Sequence, residues 1–182
     1  VVHFEDAKGL FKEYAMSLPI KLDFQHFDEE LDIVNIMYTA PQGALYVIYD
    51  QDKAIGCAGI RYLEEGICEL KRMYIQPAYR KLGYARILMD DLLNQAIILG
   101  YHTMRLDTLS EMIPAIRLYK QFGFYEIPSY YYNPNENGCK KYTEKGCREL
   151  NASYRGGILI EEYRVIKKTK ENANRWLDGL FI

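Results

Sequence analysis

ICELKRMYIQPAYRKLGYARILMDDLLNQAIILGY, residues 67–101, decides how the rest of the chain is read. It divides into a strand, a basic turn containing one glycine, and an amphipathic helix. In the strand half, Cys68 and Leu70 hold one alternating phase and Met73 and Ile75 the other, so the pattern slips by one residue across Lys71 and Arg72. A one-residue slip in a period-two pattern marks a β-bulge, which splays a strand from its neighbour and leaves backbone groups in want of partners, a ligand's included. An exposed edge carrying Lys71 and Arg72 fits the same periodicity, and both readings stay open at this point.

Pro77 stops the strand, and Arg80-Lys81-Leu82-Gly83-Tyr84-Ala85 leads into a periodic apolar run. Ala85, Leu88, Leu92, Ala96 and Leu99 mark one helical stripe, widened by Met89, Leu93 and Ile97, with Asp90, Asp91, Asn94 and Gln95 on the other face. Gly100 suits the position just past a helix end. The helix is therefore expected to begin near Gly83. There, unpaired amides and the positive end of the helix dipole, reinforced by Arg80, Lys81 and Arg86, make a phosphate site. The Walker pattern and the dinucleotide G-x-G-x-x-G are both absent.

With the slipped strand before it, the spacing Arg80-x-x-Gly83-x-Ala85 resembles the acetyl-CoA pyrophosphate loop of the GNAT superfamily of N-acetyltransferases. That loop runs Gln or Arg, two residues, Gly, one residue, then Gly or Ala, between the family's fourth strand and third helix. Leu106-Asp107-Thr108 and Ala115-Ile116-Arg117-Leu118-Tyr119-Lys120-Gln121-Phe122-Gly123-Phe124 resemble the second conserved block. Two blocks in the right order are far more specific than either alone. The resemblance implies an α/β fold, a GNAT-like mixed and mostly antiparallel sheet with helices on both faces. It implies an acetyltransferase that takes acetyl-CoA as cosubstrate and transfers the acetyl group directly to a primary amine in a ternary complex. A catalytically inactive acyl-CoA-binding sensor or scaffold is the alternative.

The resemblance also implies residue roles. The cofactor-binding set is Met73, Tyr74 and Ile75, whose splayed backbone pairs with pantetheine and polarises the thioester carbonyl, with Arg80, Lys81, Leu82, Gly83, Tyr84, Ala85 and Arg86 around the pyrophosphate. Tyr119 is the candidate acid, because a phenol with a pKa near ~10 is a credible donor to a departing thiolate; its place beside the apolar stripe also suits simple packing. Glu69 is the candidate base, or else the ion-pair partner of Lys71 or Arg72. Met112 stands where the family often has an asparagine, which removes one hydrogen bond to the cofactor. Tyr130, Tyr131 and Tyr132 either wall the acceptor pocket or cover a sheet edge. Neither Cys57 nor Cys68 is needed as a nucleophile.

The chain has 182 residues, 49% hydrophobic and 26% charged, which fits one soluble globular domain. Cys57, Cys68, Cys139 and Cys147 show no C-x-x-C spacing, and His3, His26 and His102 lie far apart, so no metal site and no disulfide framework is expected. Net charge is −2, with 13 Lys+Arg against 19 Asp+Glu over residues 1–138 and 10 against 6 over residues 139–182. Nucleic acid and membrane partners are not expected from this balance, and the acidic body mildly favours a cationic amine, as a small molecule or a peptide. The sequence begins at Val1 with no charged-then-apolar opening, and cytoplasmic residence is the expectation.

A strand is expected at residues 1–4, a helix over 6–18, a second helix from Asp28 to Tyr38, and a hairpin of strands over 44–49 and 54–62. Gly56 and Gly59 within that hairpin signal close approach of another group. Beyond the central unit, a strand over 103–107 parallel to the central one, a helix starting at Ser110 with Pro114 in its first turn, and a strand over 124–127 follow. Residues 1–135 are expected to form the GNAT-like domain. Residues 136–182 form an atypical C-terminal segment with no clear strand pattern before residues 157–166; it packs back on the domain, serves as the arm of a homodimer, or is a partly foreign end.

Overall fold

The computed structural model describes residues 4–19, 26–130, 140–146 and 165–167, the last two stretches as backbone. The chain opens on helix α1, Phe4–Ser17, which buries Ala7, Leu10 and Phe11. Phe4 is therefore helical rather than the end of a strand, and residues 1–3 lie outside the described set. Its i, i+3, i+4, i+7 apolar spacing outweighs the two valines that suggest a strand. The expected second helix is two short ones, α2 (Phe27–Asp32) and α3 (Val34–Met37), with Ile33 in a non-helical conformation between them.

Strands β1 (Ala44–Asp50), β2 (Lys53–Glu64) and β3 (Ile67–Ile75) form an antiparallel meander. Helix α4 (Tyr84–Ile98) then crosses to β4 (Thr103–Leu109), which is parallel to β3, as the crossover geometry requires. Helix α5 (Ile113–Gln121) carries Pro114 in its first turn, where the missing N–H costs nothing. It starts three residues later than Ser110 suggested, with Met112 as its cap. Strand β5 (Tyr125–Ile127), β6 (Lys140–Gly146) and β7 (Val165–Lys167) complete the described elements. Among the described residues one mixed sheet of seven strands results, in the order β5-β6-β4-β3-β2-β1-β7.

The strand β6 corrects the sequence reading, which saw no strand pattern after Asn135. Its residues KKYTEKG are almost wholly polar, so periodicity had nothing to register. What makes it a strand is backbone pairing: it runs antiparallel to β4 from Thr103↔Gly146 to Leu109↔Lys140 and also receives β5. Of the expected strand over 157–166, only the end falls on β7, which pairs in parallel with β1; residues 157–164 lie outside the described residues.

The sheet separates two apolar layers. On one face α4 and α5 cover Cys68, Leu70, Met104 and Leu106 with Leu88, Met89, Leu92, Tyr119 and Phe122. On the other, α1, α2 and α3 cover Leu45, Val47 and Cys57 with Phe11, Leu31, Val34 and Tyr38. Gly59 lies beneath the Tyr38 ring, where an added Cβ would come 2.5 Å from Cδ1, and Gly56 abuts Ile75. Both glycines are thus places of close approach, as the sequence suggested.

Candidate active site

Two residues of β3, Arg72 and Met73, stand opposite the single residue Ala58, because the register with β2 passes from Gly59↔Lys71 to Cys57↔Tyr74. That is a β-bulge at the place where the sequence pattern slips. Arg72 adopts φ 56°, the left-handed region that a non-glycine residue enters only when its surroundings hold it there. Across the bulge Cys68, Leu70, Met73 and Ile75 all meet the same apolar layer, despite their change of parity. The exposed-edge reading is set aside, since Lys71 and Arg72 are both buried.

On its other side β3 parts from β4. The parallel register runs Ile67↔Thr103, Cys68↔Met104, Glu69↔Arg105 and stops, although β3 continues to Ile75 and β4 to Leu109. The strands form a split whose one wall is the bulged backbone of residues 70–75 and whose other is residues 106–109.

At the open end of β3 lies the basic loop. A turn of 3-10 helix at Pro77–Tyr79 leads to Arg80, whose Nε donates to the Ile75 carbonyl at 3.0 Å and whose guanidinium lies 5.8 Å from the Tyr74 ring centroid. Lys81 has φ 64° and Gly83 φ 86°, so the chain turns sharply before α4. Gly83 caps that helix with no side-chain hydrogen bond, and an added Cβ there would meet no atom within 4 Å. The first two amides of α4, those of Tyr84 and Ala85, lack partners within the helix and follow directly on Arg80, Lys81 and the exposed Leu82. Tyr84 is buried and Ala85 half-buried against α4's own layer. Arg86 points elsewhere, donating to Gln121 at 2.7 Å and covering the Phe122 ring.

Tyr119 of α5 reaches the split from the same apolar layer as α4. Its hydroxyl lies 4.0 Å from Met73 Sδ, its ring is tilted against Phe124, and only 7% of the residue is exposed. Burial, then the neighbouring Tyr14 and Asp107, push its pKa well above the ordinary tyrosine value. It therefore stays protonated at neutral pH.

Glu69 is wholly buried on the α1–α3 face. Arg61 Nε donates to its Oε2 at 2.9 Å, Tyr130 Oη donates to its Oε1 at 3.0 Å, and Lys71 Nζ stands 3.7 Å from Oε1. Lys71 is its ion-pair neighbour, as one reading held; Arg72 is not. Arg72 turns to Glu30 of α2 instead, donating from Nε to Oε1 at 2.8 Å and from Nη2 to Oε2. Tyr38 Oη donates to the same Oε1 at 2.6 Å, and Phe27 lies under the guanidinium. Burial alone would raise the Glu30 pKa, but the hydrogen bonds and charge of Arg72 overcome it and hold the carboxyl below its ordinary value.

Tyr130 accordingly belongs with the site residues, while Tyr131 and Tyr132 lie outside the described residues. Met112 sits at the α5 cap, its Sδ 3.8 Å from Thr108 Oγ1. Cys57 is fully buried, and burial pushes its thiol far above the ordinary value, so it is no nucleophile. Sequence reasoning missed Arg61, Glu30 and Asp107. An acidic residue next to Leu31 on the inward face of a helix, and basic residues on strands of a buried sheet, are the signals that point to them.

Residues 8–124 match the acetyltransferase (GNAT) family. The chain belongs to that family. An uncharacterised N-acetyltransferase of Schizosaccharomyces pombe is 38% identical over 135 residues, which is 73% of this chain and 83% of the relative. A second, from Escherichia coli, is 35% identical over 103 residues, 55% of this chain and 62% of its own. Among solved structures, a Klebsiella pneumoniae protein described as an acyl-CoA N-acyltransferase superimposes with TM-score 0.60 at 25% identity, covering 78% of this chain and 90% of that one. A GNAT-family acetyltransferase of Staphylococcus aureus, at 21% identity and TM-score 0.63, shares the fold over 77% of this chain and 92% of its own. The chain is thus a GNAT N-acetyltransferase with the family's α/β fold, and acyl-CoA is the donor class of that fold. Among the described residues no helix is long and apolar enough to cross a membrane.

Proposed function

We propose that this GNAT protein transfers an acetyl group from acetyl-CoA to a primary amine by direct attack within a ternary complex. The observation that carries the reading is the split between β3 and β4 opening beside an uncapped, glycine-led helix N-terminus. The pantetheine arm lies in the split as an extra strand against the bulged backbone of Met73, Tyr74 and Ile75, and the pyrophosphate meets the amides after Gly83 with Arg80 and Lys81 beside them. Arg86 supports that loop through Gln121.

In the transfer step the amine lone pair forms the new C–N bond and the C–S bond breaks. The amide of the bulge holds the developing oxyanion. Tyr119, which its raised pKa keeps protonated at neutral pH, gives its proton to the departing thiolate. Glu69 receives the amine's proton through Tyr130, whose hydroxyl already donates to Oε1. The chain works as a cytoplasmic enzyme in which β6, from the segment 136–182, completes the sheet of the catalytic domain of residues 1–135.

Initial velocities with acetyl-CoA and an amine varied together test the mechanism. Intersecting double-reciprocal lines are expected. Parallel lines would mean a covalent acetyl-enzyme, and acetyl-CoA binding with no turnover on any amine would favour a sensor.

A further inference from the structure

Past the last paired residues Glu69↔Arg105, the next side chains on the same face of the split strands are Lys71 and Asp107. In a continued parallel register they would stand opposite one another. The backbone hydrogen bonds have ended there, and what spans the gap is a loose ion pair. Lys71 Nζ is 3.4 Å from Asp107 Oδ1 and 3.7 Å from Glu69 Oε1. Both distances exceed the ~2.7–2.9 Å of a charge-assisted N–H···O bond. The side chains are 5% and 9% exposed, so the cation and the carboxylate are taken out of water. An ammonium has three donors, and among the described residues these two carboxylates are the groups they meet, both at long range.

From this geometry we infer that Lys71 and Asp107 form the recognition site for the acceptor, and that the acceptor is a free α-amino acid. The inference rests on the acetyl-transfer reading above and names the substrate class of the same site. In an α-amino acid a single carbon separates an ammonium from a carboxylate, so the molecule presents minus and plus one hydrogen bond apart. The site presents plus and minus in the complementary order. The substrate carboxylate closes on Lys71 at charge-assisted distance, and its ammonium rests on Asp107. That places the nitrogen at the mouth of the split, beside the bulge where the thioester carbonyl is held, with Tyr130, hydrogen-bonded to Glu69, to pass its proton on.

The surrounding charges agree with a zwitterion better than with a polycation. Arg61, Lys71 and Arg105 lie among Glu64, Glu69 and Asp107, with Arg61 on Glu69 and Arg105 on Glu64 at 2.6 Å. Such a balanced cluster gives a polyamine no net attraction. It selects by arrangement instead of by net charge. Tyr14 of α1 packs its ring against that of Tyr74 on the same strand as Lys71, with 5.9 Å between centroids.

The test uses the full chain and three acceptors that share one side chain: an α-amino acid, its α-carboxamide, and the corresponding amine lacking the carboxyl group. Acetylation of the amino acid is expected with kcat/KM at least about tenfold above the other two, as for a hydrogen-bonded charge left without its partner. Equal or better use of the carboxamide or the plain amine would overturn the inference. In Lys71→Met the preference is expected to collapse towards unity, chiefly through KM for the amino acid, while calorimetry shows acetyl-CoA still bound and the variant folded. An intact preference in that variant would also overturn it, and if the variant does not fold, the wild-type comparison decides alone. Absence of acetyl-CoA binding by the wild-type chain is a separate result, which would overturn the donor reading and this inference with it.

Discussion

Tyr119 is a residue whose chemistry depends on its neighbours. On α5 it packs with Phe124 in the apolar layer, yet its hydroxyl extends to Met73 at the split. Packing and proton donation are compatible, since a buried phenol needs only its terminal atom at the reacting sulfur. Tyr119→Phe is expected to lower kcat about 100-fold, the usual size of a lost general acid, while the affinity for acetyl-CoA holds. The sign of the pH effect follows from the raised pKa: the proton is present through neutrality and lost only above the ordinary tyrosine range. The wild-type alkaline limb should therefore begin above pH ~10, the unperturbed tyrosine value, and vanish in the variant. A kcat and pH profile unchanged by the substitution would remove Tyr119 from the acid role. The tyrosine was legible in the sequence because a motif fixes its place. Arg61 was not, because a charged residue on a strand looks like a solvated face until the partner strand is known, and Asp107 stood within a quoted motif without its partner Lys71 being legible.

The bulge of β3 is held from outside its own strand. Arg72, at φ 56°, is clamped by the carboxylate of Glu30 from α2, with Tyr38 on the same oxygen. A lone buried pair is weak evidence of stability, but breaking one leaves an uncompensated charge in the interior. Glu30→Gln is accordingly expected to cost about 3–5 kcal/mol, read by urea unfolding. Because the folded carboxyl is held below its unfolded value, its contribution is fully present above that unfolded value and is lost as pH falls through the folded one. The gap between wild type and variant should thus narrow in acid. A variant as stable as wild type at neutral pH would show that the clamp contributes nothing. The strand slip was written in the sequence by the parity of Leu70 and Met73; the clamp that makes the slip affordable was not, since 42 positions separate its partners. The polar strand β6 escaped for a different reason, as hydrogen bonding to β4 leaves no trace in side-chain polarity.

At the scale of the molecule, function depends on one sheet that fails to close. Of its neighbouring pairs, β3 with β4 is registered over three residue pairs although β3 has nine residues and β4 seven. The helix that crosses between them, α4, begins at Tyr84, nine residues after β3 ends at Ile75, so in the proposed function the donor's arm and its phosphates would meet consecutive pieces of chain. This is why residues 67–101 carried so much of the fold: strand, loop and helix are contiguous there. The proposed acceptor face draws instead on α1, α2, β2, β3, β4 and Tyr130, which sequence order scatters.

The central claim is that the Gly83 loop and the split bind acetyl-CoA, and isothermal titration of the full chain with acetyl-CoA, ATP and NAD tests it most directly. Gly83→Val is the companion variant, because a β-branched residue at φ 86° is strained by about 1–3 kcal/mol and brings a side chain into the space above the helix amides. Acetyl-CoA should bind the wild type with Kd about micromolar, roughly 8 kcal/mol, ATP and NAD should not compete, and the variant should bind at least about tenfold more weakly. Silence with acetyl-CoA, equal binding of ATP or NAD, or full affinity in Gly83→Val would contradict the account.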